Sequence, residues 1–176
     1  MKAPKVPAKL LGDIRTLIET ARHGVAQAVN SGLVMLYWQI GTRIRRDILK
    51  KKRADYGKRI VHTLSAQLTA EFGAGFSRPN LLNMLKFSEV FSDQRIVYTL
   101  GRQLGWSHFR HIIYINDPLK REFYAEMARV ERWSRRTLEK KIQGMLYERT
   151  ALSKKPAKLA RQQLAAREIR TRAPPG

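Results

Sequence analysis

The stretch Phe72–Asn116, FGAGFSRPNLLNMLKFSEVFSDQRIVYTLGRQLGWSHFRHIIYIN, decides how this chain is read. Gly73-Ala74-Gly75-Phe76 interrupts one apolar-periodic run, and Ser77-Arg78-Pro79-Asn80 opens the next. Ser77 suits an N-cap, and Pro79 suits a first turn, where a missing N–H costs nothing. Farther on, Leu104-Gly105-Trp106-Ser107-His108 reads as a helix ended by Gly105 and a second one capped by Ser107. A helix start carries unpaired N–H groups and partial positive charge, so phosphate binds there readily. The stretch is therefore expected to present a helix to DNA.

Outward from it, apolar spacing predicts helices on both sides. Ile14, Leu17, Ile18, Ala21, Val25 and Val29 share one helical face, Asn30-Ser31-Gly32 is a candidate break, and Leu33, Leu36, Tyr37, Ile40, Ile44 and Ile48 form a second stripe. Asp55-Tyr56-Gly57 reads as a turn before a helix carrying Ile60, Val61, Leu64, Leu68 and Phe72. After Ser77, Leu81, Leu82, Leu85 and Val90 are expected inward, which leaves Arg78, Asn80, Asn83 and Lys86 on other faces. Ser92-Asp93 caps a run holding Ile96, Val97, Leu100 and Leu104, although Arg95–Leu100 also fits a short strand. Ser107 starts a run with Phe109, Ile112 and Ile113; Asp117-Pro118 caps one with Leu119, Phe123, Met127 and Val130. Trp133-Ser134 restarts a last one with Leu138, Ile142, Met145 and Leu146. The fold class is all-α: a basic arm at 1–9, a helical domain at 10–150 and a basic tail at 151–176.

Charge is the dominant compositional signal. The 176 residues include 35 Lys and Arg against 14 Asp and Glu, a formal net charge of +21. Such an excess points to phosphate, and so to nucleic acid, ahead of an anionic membrane surface. Hydrophobic residues make up 43%, enough for a core. The chain has no Cys, hence no disulfide framework and no thiolate metal site, in keeping with a reducing cytoplasm. No run approaches the ~18 apolar residues of a membrane span. Arg43, Arg45, Arg46, Lys50, Lys51, Lys52 and Arg53 crowd the end of one predicted helix, more than its dipole requires.

An ordered string of motifs carries a resemblance: Tyr37-Trp38-Gln39-Ile40-Gly41, Tyr56-Gly57, Phe72-Gly73 with Gly75-Phe76-Ser77 and Asn80-Leu81, Leu104-Gly105-Trp106-Ser107-His108, Phe123-Tyr124 and Trp133-Ser134. From about Ile14 to Thr150 the chain resembles the N-terminal domain of the YhcG family. That resemblance implies a helical, helix-turn-helix-like DNA-binding module of a bacterial DNA-processing protein, preceding a PDDEXK nuclease domain. Three departures stand out. The chain stops where the nuclease domain would begin, and Gly105 stands where family members often carry Ser. The turn between Phe72 and Ser77 also looks longer than the 3–4 residues usual in a helix-turn-helix.

Catalysis is not expected. Glu139-Lys140-Lys141 with Asp117 upstream spells a PDDEXK site, but Glu139 lies in a helical period and Asp117 precedes proline as a cap. His108 and His111 share a helix face without a third metal ligand, and no phosphate loop exists, so no cofactor or metal is expected. The candidate DNA contacts are Ser77, Arg78, Asn80, Asn83 and Lys86; Ser107, His108, Arg110 and His111; and Arg46, Lys50, Lys51, Lys52 and Arg53. Arginine suits phosphate or guanine, and asparagine suits adenine edges or phosphate. Trp38, Trp106 and Trp133 are assigned to packing. The expected partners are duplex or branched DNA and a separate nuclease domain, with self-association left open. The alternatives are a Mg²⁺-dependent nuclease with an unrecognised site and a helical module for protein or RNA.

Overall fold

The computed structural model describes residues 7–51 and 54–152. The expected all-α class is borne out: the regular elements described are α1 (Ala8–Lys51), α2 (Ala54–Phe72), a 3₁₀ turn (Ala74–Phe76), α3 (Arg78–Val90), α4 (Gln94–Gly101), α5 (Trp106–Ile112), α6 (Pro118–Val130), α7 (Arg135–Gln143) and α8 (Leu146–Leu152). The candidate strand at Arg95–Leu100 lies in α4. The chain forms two compact units, Met1–Trp106 and Ser107–Gly176.

The first unit is built on α1, an unbroken helix of 44 residues. The expected break at Asn30-Ser31-Gly32 does not occur, because these polar side chains find partners outside the helix. Asn30 Nδ2 donates to the carbonyls of Gly101 (3.3 Å) and Leu104 (3.2 Å), and Ser31 Oγ donates to Gly101 O (2.9 Å). Gln27 Nε2 donates to Arg102 O (2.8 Å). Helix ends leave carbonyls without intrahelical partners, and here α1 supplies the donors for the end of α4. It does the same for α3: Trp38 Nε1 donates to Phe91 O (2.6 Å) and Arg45 to Ser88 O (2.8 Å).

Gly41 explains why α1 and α3 approach so closely. A Cβ there would lie inside contact distance of the Met84 carbonyl, so only glycine fits the crossing. Val34, Trp38 and Ile44 of α1 are buried, with Leu81, Met84 and Phe87 of α3 and Val61 of α2. The Ile44–Val61–Leu81–Met84 cluster is flanked by Tyr37, Ile40, Phe76 and Trp106. Trp106 packs edge-on to Tyr37 (5.0 Å between centroids) and lies 5.5 Å from Phe87, so it is a core anchor, as expected.

Several expected faces are corrected. Ile14, Leu17, Ile18, Val25 and Val29 are exposed because α1 is exposed on every side up to Val29, and Leu33 and Leu36 are exposed because α1 there packs through Val34 and Trp38. Asp55-Tyr56-Gly57 is the first turn of α2, not a connecting turn. Leu82 of α3 and Ile96 of α4 face solvent. Gly101 ends α4, and Trp106 already lies within α5, so Gly105 is not the stop and Ser107 is not the cap.

In the second unit Asp117 caps α6 by accepting from Leu119 N and Lys120 N, and Ser134 caps α7 by accepting from Thr137 N, as their positions before a helix require. The buried face of α6 is Tyr124, Ala125 and Ala128, one step round from the expected stripe; Leu119 is exposed. Tyr124 is fully buried, donates to Lys141 O (3.2 Å) and accepts from Tyr147 N (3.1 Å), which ties α6 to α7 and α8. The stripe expected through Leu138, Ile142, Met145 and Leu146 is divided: α7 ends at Gln143, and Met145 adopts a positive φ of 53° before α8.

Candidate nucleic-acid interface

The outward face of α1 changes chemistry along its length. It is apolar from Leu10 to Leu36, then cationic at Arg43, Arg46 and Lys50, which recur at i, i+3 and i+7 on the face turned away from Gly41. Arg45, between them, points the other way and is committed to Ser88 O. The start of α2 lies against this cationic end. Tyr56 Oη donates to Asp47 Oδ2 (2.8 Å), and Gly57 sits where a Cβ would be 3.2 Å from the Ile48 side chain. That hydrogen bond to Asp47 raises the Tyr56 phenol above its ordinary value, and burial adds to the shift. Lys58 and Arg59 follow immediately and are exposed. Sequence reading does not single out these two; the signal is their place soon after the basic run, in the helix that begins at Ala54.

Among the described residues, ion pairs engage Arg43 with Asp47 (3.9 Å), Lys86 with Glu89 (3.6 Å) and Arg135 with Glu139 (4.0 Å). Arg46, Lys50, Lys58, Arg59, Arg78 and Arg110 are exposed outside those pairs. The side chain of Lys51, and Lys52 and Arg53 entirely, lie outside the described residues, as do the arm at 1–6 and the tail from 153.

The residues proposed around Ser77 divide by role. Ser77 occupies the N-cap of α3, as expected, but its side chain makes no capping bond and is half-buried. Arg78 is exposed. Asn80 is not an open reader of bases: its Nδ2 donates to Gly75 O and its Oδ1 accepts from Trp106 Nε1 (2.9 Å). Asn83 is buried, which corrects its assignment to an outer face. The cause is the width of the buried surface on α3. Leu81, Asn83, Met84, Phe87 and Ser88 span roughly 160° at 100° per residue. Five residues separate α2 from α3, including the 3₁₀ turn.

On α5, Ser107 and Arg110 are exposed and His111 is half-buried. His108 Nε2 is 2.8 Å from Trp133 O, so the ring fastens α5 to the loop before α7 and is not an outward contact. Trp133 also carries Lys141 Nζ 5.6 Å from its ring centroid, a packing role as expected.

Neither candidate acid of a nuclease site is arranged for catalysis. Asp117 is spent on two backbone N–H groups, and Glu139 sits on a helix beside Arg135. Among the described residues no group of three or more His, Cys, Asp or Glu is placed to hold a metal. Among them, too, no helix is long and apolar enough to cross a membrane. A groove of about 550 Å³ between α1 and α2, lined by Ile40, Ile44, Ile60, Leu64 and Leu68, has only the Arg43–Asp47 pair as charged lining.

Fold and surface together define a class: a small all-α domain whose longest helix ends in exposed cations. The chain belongs to the DUF1016 N-terminal domain family, which it matches over residues 13–149. It is 27% identical over 167 residues to an Escherichia coli protein named "Putative nuclease YhcG". That match takes in 78% of this chain and 44% of the relative, so the chain spans less than half of that protein's length. The chain is thus a YhcG-family N-terminal domain, as its motifs implied. No solved structure matches it.

Proposed function

We propose that this domain binds DNA through the cationic end of α1 and the start of α2, and that it directs a nuclease of its family to its substrate. The observation that carries the reading is the exposure of Arg46 and Lys50 near the end of α1 and of Lys58 and Arg59 near the start of α2, the helix next in the chain. Arg78 supplies a further cation at the start of α3, on a chain of net charge +21. Cations of this density release counterions on meeting phosphate, so binding rests on backbone contacts more than on base edges. The similarity to a protein named as a nuclease supports DNA as the polyanion. The same similarity supports a targeting role, with cleavage supplied by another part of the protein. The burial of Asn83 and the internal bonds of Asn80 argue against α3 as a base-reading helix.

Fluorescence anisotropy with duplex DNA, a four-way junction and a structured RNA, each over a salt series, tests the proposal. DNA should bind more tightly than RNA, with log affinity falling by about 0.9 per phosphate contact for each unit of log salt. Equal or tighter RNA binding would remove the DNA assignment in favour of an RNA module. Mg²⁺-dependent cleavage by the chain alone, lost in Glu139→Ala, would favour an enzyme.

A further inference from the structure

Every residue from Pro7 to Val29 is exposed, yet the segment is helical throughout its α1 portion and carries a long apolar stripe. Leu10, Leu11, Ile14, Leu17, Ile18, Val25 and Val29 are between 41% and 70% exposed. The stripe lies on the side of α1 opposite Trp38 and Gly41, so nothing in the first unit needs to move for another helix to lie along it. A lone helix of this kind is poorly supported. Gly12 and Gly24 have no neighbouring atoms to explain them, and each weakens a helix by about 1 kcal/mol relative to alanine. Most helical stability in proteins comes from packing an apolar face, which this segment lacks among the described residues.

We infer that the stripe is a self-association face, covered by the same segment of a second copy running antiparallel. Three observations select this occupant. First, charge permits it. Residues 10–42 contain two acids, Asp13 and Glu19, and two bases, Arg15 and Arg22, so the segment is neutral on a chain of +21. Glu19 stands at i+4 from Arg15 and i−3 from Arg22, which offsets both. Second, the face is long. Its seven large side chains, each at least 41% exposed, run from Leu10 to Val29, about 30 Å of helix.

Third, the residue order fits one direction. Leu11, Ile18 and Val25 alternate with Ile14, Ala21 and Ala28 at the 3- and 4-residue steps of a helical seam. Antiparallel pairing sets Leu11 opposite the partner's Ala28, Ile14 opposite the partner's Val25 and Ile18 opposite the partner's Ala21. Each layer then joins a larger side chain to a smaller one, the arrangement that fills space. Parallel pairing would set Ala21 on Ala21 and Ala28 on Ala28 and leave two layers underfilled. The contact is two-fold symmetric and closes at a dimer. It leaves the cationic ends of both α1 helices outside the seam.

The chain has no cysteine, so introduced ones report alone. Sedimentation of the full chain should give a dimer at micromolar concentration, and Ile14→Glu with Ile18→Glu should give a monomer whose Trp38 and Trp106 fluorescence is unchanged. Oxidation of an equimolar mixture of Ile14→Cys and Val25→Cys chains should produce the mixed disulfide, with little cross-linking of Ile14→Cys alone. A monomeric wild-type chain overturns the inference, including one in which another segment protects the stripe from hydrogen exchange. Efficient self-cross-linking of Ile14→Cys overturns the antiparallel order. The dimer should persist in Arg46→Glu with Lys50→Glu, which separates this test from that of DNA binding.

Discussion

Asn30, in the middle of α1, closes the end of α4 by donating one amide to the carbonyls of Gly101 and Leu104. A residue type that often ends helices here lets α1 continue, because its side chain serves a neighbouring helix and not its own. Asn30→Ala leaves both carbonyls short of that donor. It is expected to lower stability by about 1–2 kcal/mol, measured by urea unfolding, with the slope of the transition unchanged. A loss near zero would show that water replaces the amide.

Gly41 makes a sharper demand. Since a Cβ at 41 would intrude on the Met84 carbonyl, Gly41→Ala must push α1 and α3 apart at their crossing. Overpacking of this kind typically costs about 1–3 kcal/mol, and a clash against backbone belongs at the upper end. A thermal midpoint unchanged from wild type would contradict the crossing described.

Stability and binding should separate at Asn80 and Arg46. Asn80→Ala removes the acceptor of Trp106 Nε1, and an unsatisfied donor costs about 1–3 kcal/mol. It should lower the unfolding midpoint and leave DNA affinity at low salt unchanged. Arg46→Glu with Lys50→Glu should do the reverse, weakening DNA binding roughly tenfold or more and reducing the salt slope by about 1 per lost contact. Equal DNA affinity for both chains would move the binding surface away from the α1 end.

In the second unit, Lys120 on α6 pairs with Glu148 on α8. The hydrogen bond from Lys120 holds the Glu148 carboxyl below its ordinary value of 4.5, and the same bond holds Lys120 above 10.5. A depressed acid contributes stability that is present above its unfolded value and lost as pH falls through the folded one. A raised base contributes stability that is present below its unfolded value and lost as pH rises through the folded one. The difference in thermal midpoint between wild type and Glu148→Gln should therefore be flat between about pH 4.5 and 10.5 and shrink outside that window. A difference independent of pH would show that the pair contributes through packing alone.

Much of this protein follows from its sequence alone, because helix class and helix starts depend on local chemistry. Asp93, Asp117 and Ser134 cap the helices that their positions predicted, since a cap needs only a short polar side chain and the N–H groups two or three residues on. The net charge and the family motifs likewise belong to the chain before it folds. Which side of each helix faces inward depended on its neighbours. The stripe from Ile14 to Val29 has the spacing of a core face yet lies in solvent, because periodicity records that a face is apolar and not what covers it. Asn80 and Asn83 illustrate the same limit: nothing local distinguishes an asparagine that meets a ligand from one that holds Trp106 or sits buried on α3. Contacts between distant segments decided those roles: Trp106 holds Asn80, and the close approach of α1 to α3 at Gly41 helps fix which arc of α3 is buried.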